Sequence, residues 1–334
     1  MEVTMGLNIS SFLQWRFNIY VYQKLGWRLT YYYVKMLAWL YYLINHKEKS
    51  RIRAAVESVF SQRKKKPERK ALIKKVMQGI VAHYYEKLFN AYATGPTLRA
   101  FVGSHVDFTG IGTLKKGLKR NKGLLLITGH VGGVELIPAC LGYRQFPVTI
   151  IAKFSSRHLW KASEQQARRF RTRIIDAERT PNVMRALLAN LKENRVVITQ
   201  CDEFDEWRPS RREQIRFLGK QTHLDRTFNV LARRIDAPIA FGIMHRRQNH
   251  HYRFNVVSED EMAGSIKAMA PLPIGALVLK YLEHYIYNHP AGWYQWKKYP
   301  SIVPLASSPG PANQQLDPTL LDPSIGEMAL RRVA

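Results

Sequence analysis

Acidic residues are the first thing this chain is short of. Its 334 residues hold 25 Asp and Glu against 52 Lys and Arg, a formal net charge of +27. An excess of that size points to a polyanionic partner: nucleic acid, an anionic membrane, or acidic proteins and ligands. Cysteine is scarcer still, with two in the chain and no Cys-x-x-Cys spacing. That excludes a disulfide scaffold and a cysteine-type zinc site, and makes a reducing compartment the default. No Gly-x-Ser-x-Gly elbow occurs, so the serine nucleophile of the α/β-hydrolases is missing. The N-terminus lacks the basic stretch, compact apolar core and small-residue cleavage site of a secretory signal. Core material is not lacking. A hydrophobic content of 46% is too high for disorder and suffices for one large core or two modest ones.

The charge is unevenly placed. Residues 1–200 hold 35 basic and 11 acidic residues, a net of +24, whereas residues 201–334 hold 17 and 14, a net of +3. A partner surface is therefore expected in the first part of the chain. That part opens with an aromatic, basic stretch from Phe12 to about Asn45 that reads as helical. Its most apolar window, Leu29 to Ile44, contains Lys35 and falls short of the roughly 20 residues of a perpendicular membrane span. Tyr31, Tyr32, Tyr33, Trp39, Tyr41 and Tyr42 are rings that favour the lipid headgroup layer, and Lys and Arg flank the window on both sides. Such a segment suits a helix lying in or dipping into an anionic interface. The alternative is a buried aromatic helix of the globular core.

After the basic connector Arg63 to Lys66, the spacing of Ile73, Val76, Ile80, Tyr84 and Leu88 predicts a helix over 68–92, ended by Gly95-Pro96. From residue 105 onward, strands and helices alternate. Leu124–Thr128, Val148–Ala152, Val196–Thr199, Pro238–Ile243 and Tyr252–Val257 read as strands. Helices are expected over about 132–143, 157–171, 181–193, 224–235 and 273–288. This pattern predicts an α/β fold with a mostly parallel sheet flanked by helices, preceded by the N-terminal membrane-associating region. The expected division is residues 1–62 for that region, 63–299 for the α/β domain, and 300–334 for a loosely ordered tail rich in proline.

The most informative segment runs Leu124-Leu-Leu-Ile-Thr-Gly-His130-Val-Gly-Gly-Val-Glu135. A buried strand leaves the sheet through Gly129 into a turn carrying His130, and Gly132 and Gly133 open the next helix. The carboxyl ends of parallel strands are where open α/β sheets build their sites. Glycines there allow a ligand close to the backbone, and amides at a helix start can donate to a developing oxyanion. Histidine suits proton transfer near neutral pH, and a glutamate five residues on could accept from one ring nitrogen and leave the other free as a base. The spacing by itself arises readily by chance. The discriminating part is its setting of apolar strand, Gly, His, Gly-Gly, acid and helix.

These residues resemble the lysophospholipid acyltransferase superfamily, and within it the bacterial lipid A biosynthesis (lauroyl/myristoyl) acyltransferases. The carrying motif is Thr128-Gly129-His130 to Glu135. Further matches are Arg185–Lys192, the strand Val196–Thr199 leading to Asp202, Phe217-Leu-Gly219, Leu231–Arg234 with Ala237-Pro238, and His289-Pro290 with Trp293. The resemblance implies that His130 is the general base on an acceptor hydroxyl, that Glu135 positions and charge-balances it, and that the acyl thioester is attacked directly without an acyl-enzyme. It implies an acyl carrier protein or acyl-CoA donor, an anionic lipid acceptor resembling a lipid A precursor, no cofactor, and a place on the cytoplasmic face of the bacterial inner membrane. Another lipid acceptor is the alternative within the family. Lys153 stands where the family often has arginine, which makes it the phosphate contact without a bidentate fork. Arg168 and Arg169, in a cluster with Arg171 and Arg173, could grip a phosphorylated headgroup or an acidic carrier protein, or could be a solvated helix face. Asp202 reads as a substrate-orienting residue or a turn carboxylate.

Other readings of the chemistry fare worse. Cys140 and Cys201 read as core residues rather than nucleophiles. No acid accompanies His245, His250 and His251 at metal-ligand spacing. The run from Glu203 to Arg212 reads as a mobile polar loop over the site. A basic nucleic-acid-binding protein would account for the charge, but no zinc finger, RNP-type aromatic motif or helix-turn-helix accompanies it.

Overall fold

The computed structural model describes residues 12–154, 156–267 and 270–305. Nine strands are described: β1 (Val106–Thr109), β2 (Leu124–Thr128), β3 (Val148–Ala152), β4 (Arg173–Asp176), β5 (Val196–Gln200), β6 (Pro209–Phe217), β7 (Lys220–Asp225), β8 (Ile239–Arg246) and β9 (Tyr252–Ser258). Before the sheet come α1 (Arg16–Lys24), α2 (Trp27–Ile44), α3 (His46–Phe60), α4 (Lys66–Tyr92) and α5 (Gly95–His105). Within and after it come α6 (Ile111–Leu118), α7 (Ile137–Tyr143), α8 (Arg157–Arg169), α9 (Val183–Lys192), α10 (Thr227–Arg234), α11 (Glu259–Ser265) and α12 (Ile274–Asn288).

Seven strands form one sheet in the order β1-β9-β8-β2-β5-β3-β4, and β6 pairs with β7 as a separate ribbon. Every neighbouring pair in the large sheet is parallel except β8 and β9, which form an antiparallel hairpin. The expected mixed α/β architecture with a mostly parallel sheet is therefore present. All five residues of β2 are buried, as a central strand covered on both faces requires. Each of its four aliphatic side chains contributes about 1.5–3 kcal/mol from burial.

The helical stretch expected from Phe12 to Asn45 is broken at Leu25-Gly26, where both residues are extended and Gly26 starts the next helix. Helix α2 divides its faces. Val34, Leu37, Ala38, Tyr41 and Tyr42 are buried, whereas Leu29, Tyr32, Met36, Trp39, Leu40, Leu43 and Ile44 are exposed. Of the twelve large apolar side chains exposed among the described residues, ten lie between Trp15 and Ile44. Among the described residues, no helix is long and apolar enough to cross a membrane. Asn45 caps α3, its side chain accepting from the Glu48 amide at 3.2 Å.

Pro67 lies in the first turn of α4, where no amide partner is needed. Past Gly79 it is buried on nearly all sides, with His83, Tyr84, Tyr85, Glu86, Leu88 and Phe89 all inside. It is thus a central helix rather than a surface one. One continuous apolar core joins Leu13 of the N-terminal helices to the sheet and to Ile302.

Three segments depart from expectation. The helix expected from residue 132 starts at Ile137, after a 3-10 turn over Val134–Leu136. The polar loop expected after Glu203 is a 3-10 turn over Phe204–Glu206 followed by the start of β6, where Pro209 pairs with Asp225 before the register shifts ahead of Gln214. Of the expected loose tail, residues 301–305 are fastened to that ribbon. The Val303 carbonyl accepts from the Thr222 hydroxyl at 2.8 Å, and the Leu305 amide donates to the Gln221 carbonyl at 2.8 Å. Residues 306–334 of that tail lie outside the described residues.

Candidate active site

Parallel strands β2 and β5 are neighbours in register, with Thr128 opposite Gln200, so their carboxyl ends leave the sheet side by side. The Cys201 amide continues the ladder onto the Thr128 carbonyl at 2.9 Å. Two residues beyond each strand end, His130 and Asp202 meet. Asp202 is fully buried and His130 nearly so. The Asp202 carboxylate lies 2.7 Å from His130 Nδ1 and accepts the His130 amide at 3.0 and 3.1 Å. Its second oxygen also accepts Trp293 Nε1–H at 2.8 Å. The Gln295 amide stands 3.2 Å from the same ring nitrogen. The Tyr294 ring meets the imidazole edge to face at 4.9 Å.

The other ring nitrogen, Nε2, is 3.0 Å from Glu203 Oε1. Glu203 is held in turn by Lys298 Nζ at 3.1 Å, which also pairs with Asp205 at 3.0 Å. Burial alone would push the His130 imidazole down. The charge and hydrogen bond of Asp202, joined by those of Glu203, outweigh burial and raise it to about 10. Burial pushes Glu203 up, but the hydrogen bond and charge of His130, then Lys298, bring it down to about 2. The histidine is therefore an imidazolium donating from both nitrogens, one to each carboxylate.

Glu135 stands elsewhere than its spacing suggested. Its carboxylate is 3.7 Å from His83 Nε2 on α4, and the carboxylates against His130 are those of Asp202 and Glu203. The reason is local. Gly132 adopts a left-handed φ of +54°, and the 3-10 turn follows, so residue 135 faces α4 instead of coming back one helical turn beneath His130. His83 is buried and stacked on Tyr294 at 3.3 Å. Burial, then the charges of Lys87, His130, Arg246 and Lys297, hold it well below the ordinary histidine range, so it is neutral.

The motif glycines serve the backbone. The Gly132 and Gly133 amides donate to the carbonyls of Gly292 and Met244 at 2.8 and 2.9 Å. A Cβ at Gly132 would run into the Met244 carbonyl, one at Gly129 into Leu282, and one at Gly133 into Tyr252. The close approach these three allow is thus by protein, where the sequence suggested a ligand. Arg246 locks the turn from behind. It donates to the Gly132 carbonyl at 3.2 Å and grips buried Glu86 of α4 through two nitrogens at 2.6 and 2.8 Å. Tyr252 donates to the same Glu86 at 2.8 Å.

His130, Glu135 and Glu203 open on a cavity of about 360 Å³. One end is polar, with Tyr84, Lys87, Asn90, Lys297 and Lys298. The other is apolar, running past Pro138, Ile150, Phe154, Leu159, Phe170 and Ile174 between β3, β4 and α8. Lys153 reaches the rim but is exposed and paired with Glu178 and Glu206, each at 3.2 Å. Arg168 is exposed and paired with Glu164, while Arg169 donates to Gln166; neither lines the cavity. Both arginines are exposed in the last turn of α8. Both cysteines are buried in the core, and burial pushes the Cys140 thiol up to about 12 and Cys201 up as well. Among the described residues, no group of three or more His, Cys, Asp or Glu is arranged to hold a metal ion.

Sequence reasoning missed Glu203, Lys87 and Lys297 as cavity residues. Their only signal was position: Glu203 follows Asp202 beyond a strand end, and Lys87 lies one turn of helix from His83.

The sequence model of the bacterial lipid A biosynthesis acyltransferases matches residues 10–298 of the chain. No curated protein matches it. A match spanning the N-terminal helices, the whole sheet and the His130 turn shows the family. The chain belongs to the bacterial lipid A biosynthesis acyltransferases, enzymes that transfer an acyl group to a lipid.

Proposed function

We propose that this enzyme moves a fatty acyl chain from a thioester of acyl carrier protein or coenzyme A onto a hydroxyl of an anionic membrane lipid, with a lipid A precursor-like acceptor favoured. The observation carrying the reading is the buried His130–Asp202 pair, whose outer nitrogen faces a cavity with an apolar arm. Asp202 holds the Nδ1 proton and the ring orientation, so Nε2 is the nitrogen available for proton transfer. Glu203 must first take the Nε2 proton and carry it away from the ring, because a doubly protonated imidazolium cannot act as a base. The acceptor hydroxyl then takes its seat and gives its proton to Nε2 while the oxygen attacks the thioester carbonyl. The C–O bond forms, the C–S bond breaks, and the departing thiolate receives that proton back. The apolar arm takes the acyl chain. Glu135, on the cavity wall beside His83, orients substrate rather than the base.

Membrane seating falls to residues 1–62. The exposed apolar side chains of α1 and α2, with basic residues beside them, suit an interfacial helix pair on an anionic surface. Residues 63–299 then form the catalytic part, working at the cytoplasmic face of the inner membrane.

The test is His130→Ala with the purified full-length protein. Acyl transfer should fall by about a hundredfold or more while vesicle binding stays unchanged and circular dichroism shows the protein still folded. Turnover that survives the substitution would overturn the assignment.

A further inference from the structure

Four lysines line the cavity that holds His130, and they are not alike. Lys153 is neutralised by Glu178 and Glu206, and Lys298 by Glu203 and Asp205. Lys87 of α4 and Lys297, both half-buried, have no carboxylate partner among the described residues. Lys297 Nζ donates to the Tyr84 hydroxyl at 2.9 Å, which fixes the ammonium without cancelling its charge. The nearby Glu48 carboxylate is taken up by the hydroxyls of Tyr41 and Tyr42, each at 3.1 Å. The charges of both lysines bear on His83, a buried cavity residue whose Nδ1 has no hydrogen-bond partner among the described residues. Half-buried ammonium groups left uncompensated cost stability, so a cavity that keeps two of them is complementary to an anion.

We propose that Lys87, Lys297 and His83 form a phosphoryl subsite in the polar end of the cavity. It takes a phosphate monoester or diester of one of the two substrates while the reacting carbonyl sits at His130. Of the lining carboxylates among the described residues, Glu203 is taken by His130 and Lys298, which leaves Glu135 against two lysines and the subsite net positive. This is distinct from the phosphate contact that Lys153 was expected to make, which its two glutamates occupy. The inference rests on the acyl-transfer reading. The ligand chemistry has two sources, the phosphates of the donor's pantetheine arm or a phosphate on the acceptor lipid.

The experiment compares the wild type, Lys87→Gln/Lys297→Gln and Lys87→Arg/Lys297→Arg as full-length proteins. Titration calorimetry with lauroyl-CoA and with lauroyl-pantetheine, which lacks phosphate, forms the donor arm. Binding of phosphatidic acid and of diacylglycerol in detergent micelles forms the lipid arm. In one arm the wild type should prefer the phosphorylated ligand by about tenfold or more, the Gln pair should lose that preference, and the Arg pair should keep it. The arm that responds names the source. If neither arm shows a preference that the Gln pair abolishes while its thermal unfolding matches the wild type, the subsite is wrong. His130→Ala, carried alongside, separates the two ideas. It should bind all four probes like the wild type but not turn over, and turnover in it would sink the acyl-transfer reading whatever the lysines do.

Discussion

The Asp202 carboxylate accepts the backbone amide of His130 as well as facing its ring nitrogen, at 3.0 and 2.7 Å. One side chain therefore fixes both where the histidine begins and which way its imidazole points. Trp293 holds that carboxylate from the far side. Asp202, the His130 ring and Trp293 Nε1 are thus tied in one buried network, and such networks specify one geometry.

Asp202→Asn tests this directly. The amide cannot balance a developing imidazolium, so kcat should drop by about a hundredfold or more. KM should change little, because the apolar arm and the lysines of the cavity are untouched. Steady-state kinetics at saturating donor check it. A KM effect without a kcat effect would assign Asp202 to substrate binding.

Glu203→Gln should move the acid limb of the kcat/KM profile to lower pH. Asp202 and Glu203 together raise the His130 imidazole to about 10, and the free base is the active form. Removing one of two adjacent charges lowers that value by about 1–3 units. The variant should thus be more active than the wild type near neutral pH. Stability responds in its own window. A raised histidine contributes below its unfolded value, and the contribution is lost as pH rises through about 10. A depressed Glu203 contributes above its unfolded value, and the contribution is lost as pH falls through about 2. Thermal unfolding of wild type and variant should differ most between these limits and converge outside them.

Gly132→Ala should be among the costliest single-methyl additions in the chain. It puts a side chain into a left-handed conformation and drives it into the Met244 carbonyl. The loss should reach about 2–3 kcal/mol, measured by denaturant unfolding. An unfolding midpoint equal to the wild type would show that the turn can relax.

Trp39→Ser/Ile44→Ser should weaken flotation with anionic vesicles while changing stability by no more than about 0.5 kcal/mol, because both side chains are exposed. Unchanged flotation would show that another surface meets the lipid.

Period and composition made the central sheet legible. Leu124–Thr128 and Val148–Ala152 are continuous apolar runs bounded by turn residues, and the structure has these strands with the same ends. Short strands at the margin were not legible. Val106–Thr109 and Arg173–Asp176 are four residues each, with exposed or half-buried positions, and carry too little pattern to stand out. The site divides in the same way. His130 announced itself through its local setting, which a sequence displays. Its carboxylate partner did not, because Asp202 arrives through the register of two strands 72 residues apart. Glu135 looked like that partner because a helix was expected where Gly132 turns the backbone the other way. A spacing can be read along the chain only if the conformation between its ends is known.

The Glu86–Arg246 clamp sets a limit on how this chain can be cut. Glu86 belongs to the long helix that precedes the sheet, while Arg246 belongs to the hairpin behind the His130 turn. Separating the two leaves a buried guanidinium unpaired, at a cost of about 3–5 kcal/mol, a large share of a typical domain's stability. Any shortened version meant to retain the catalytic geometry must keep the helix Lys66–Tyr92 together with the β8–β9 hairpin.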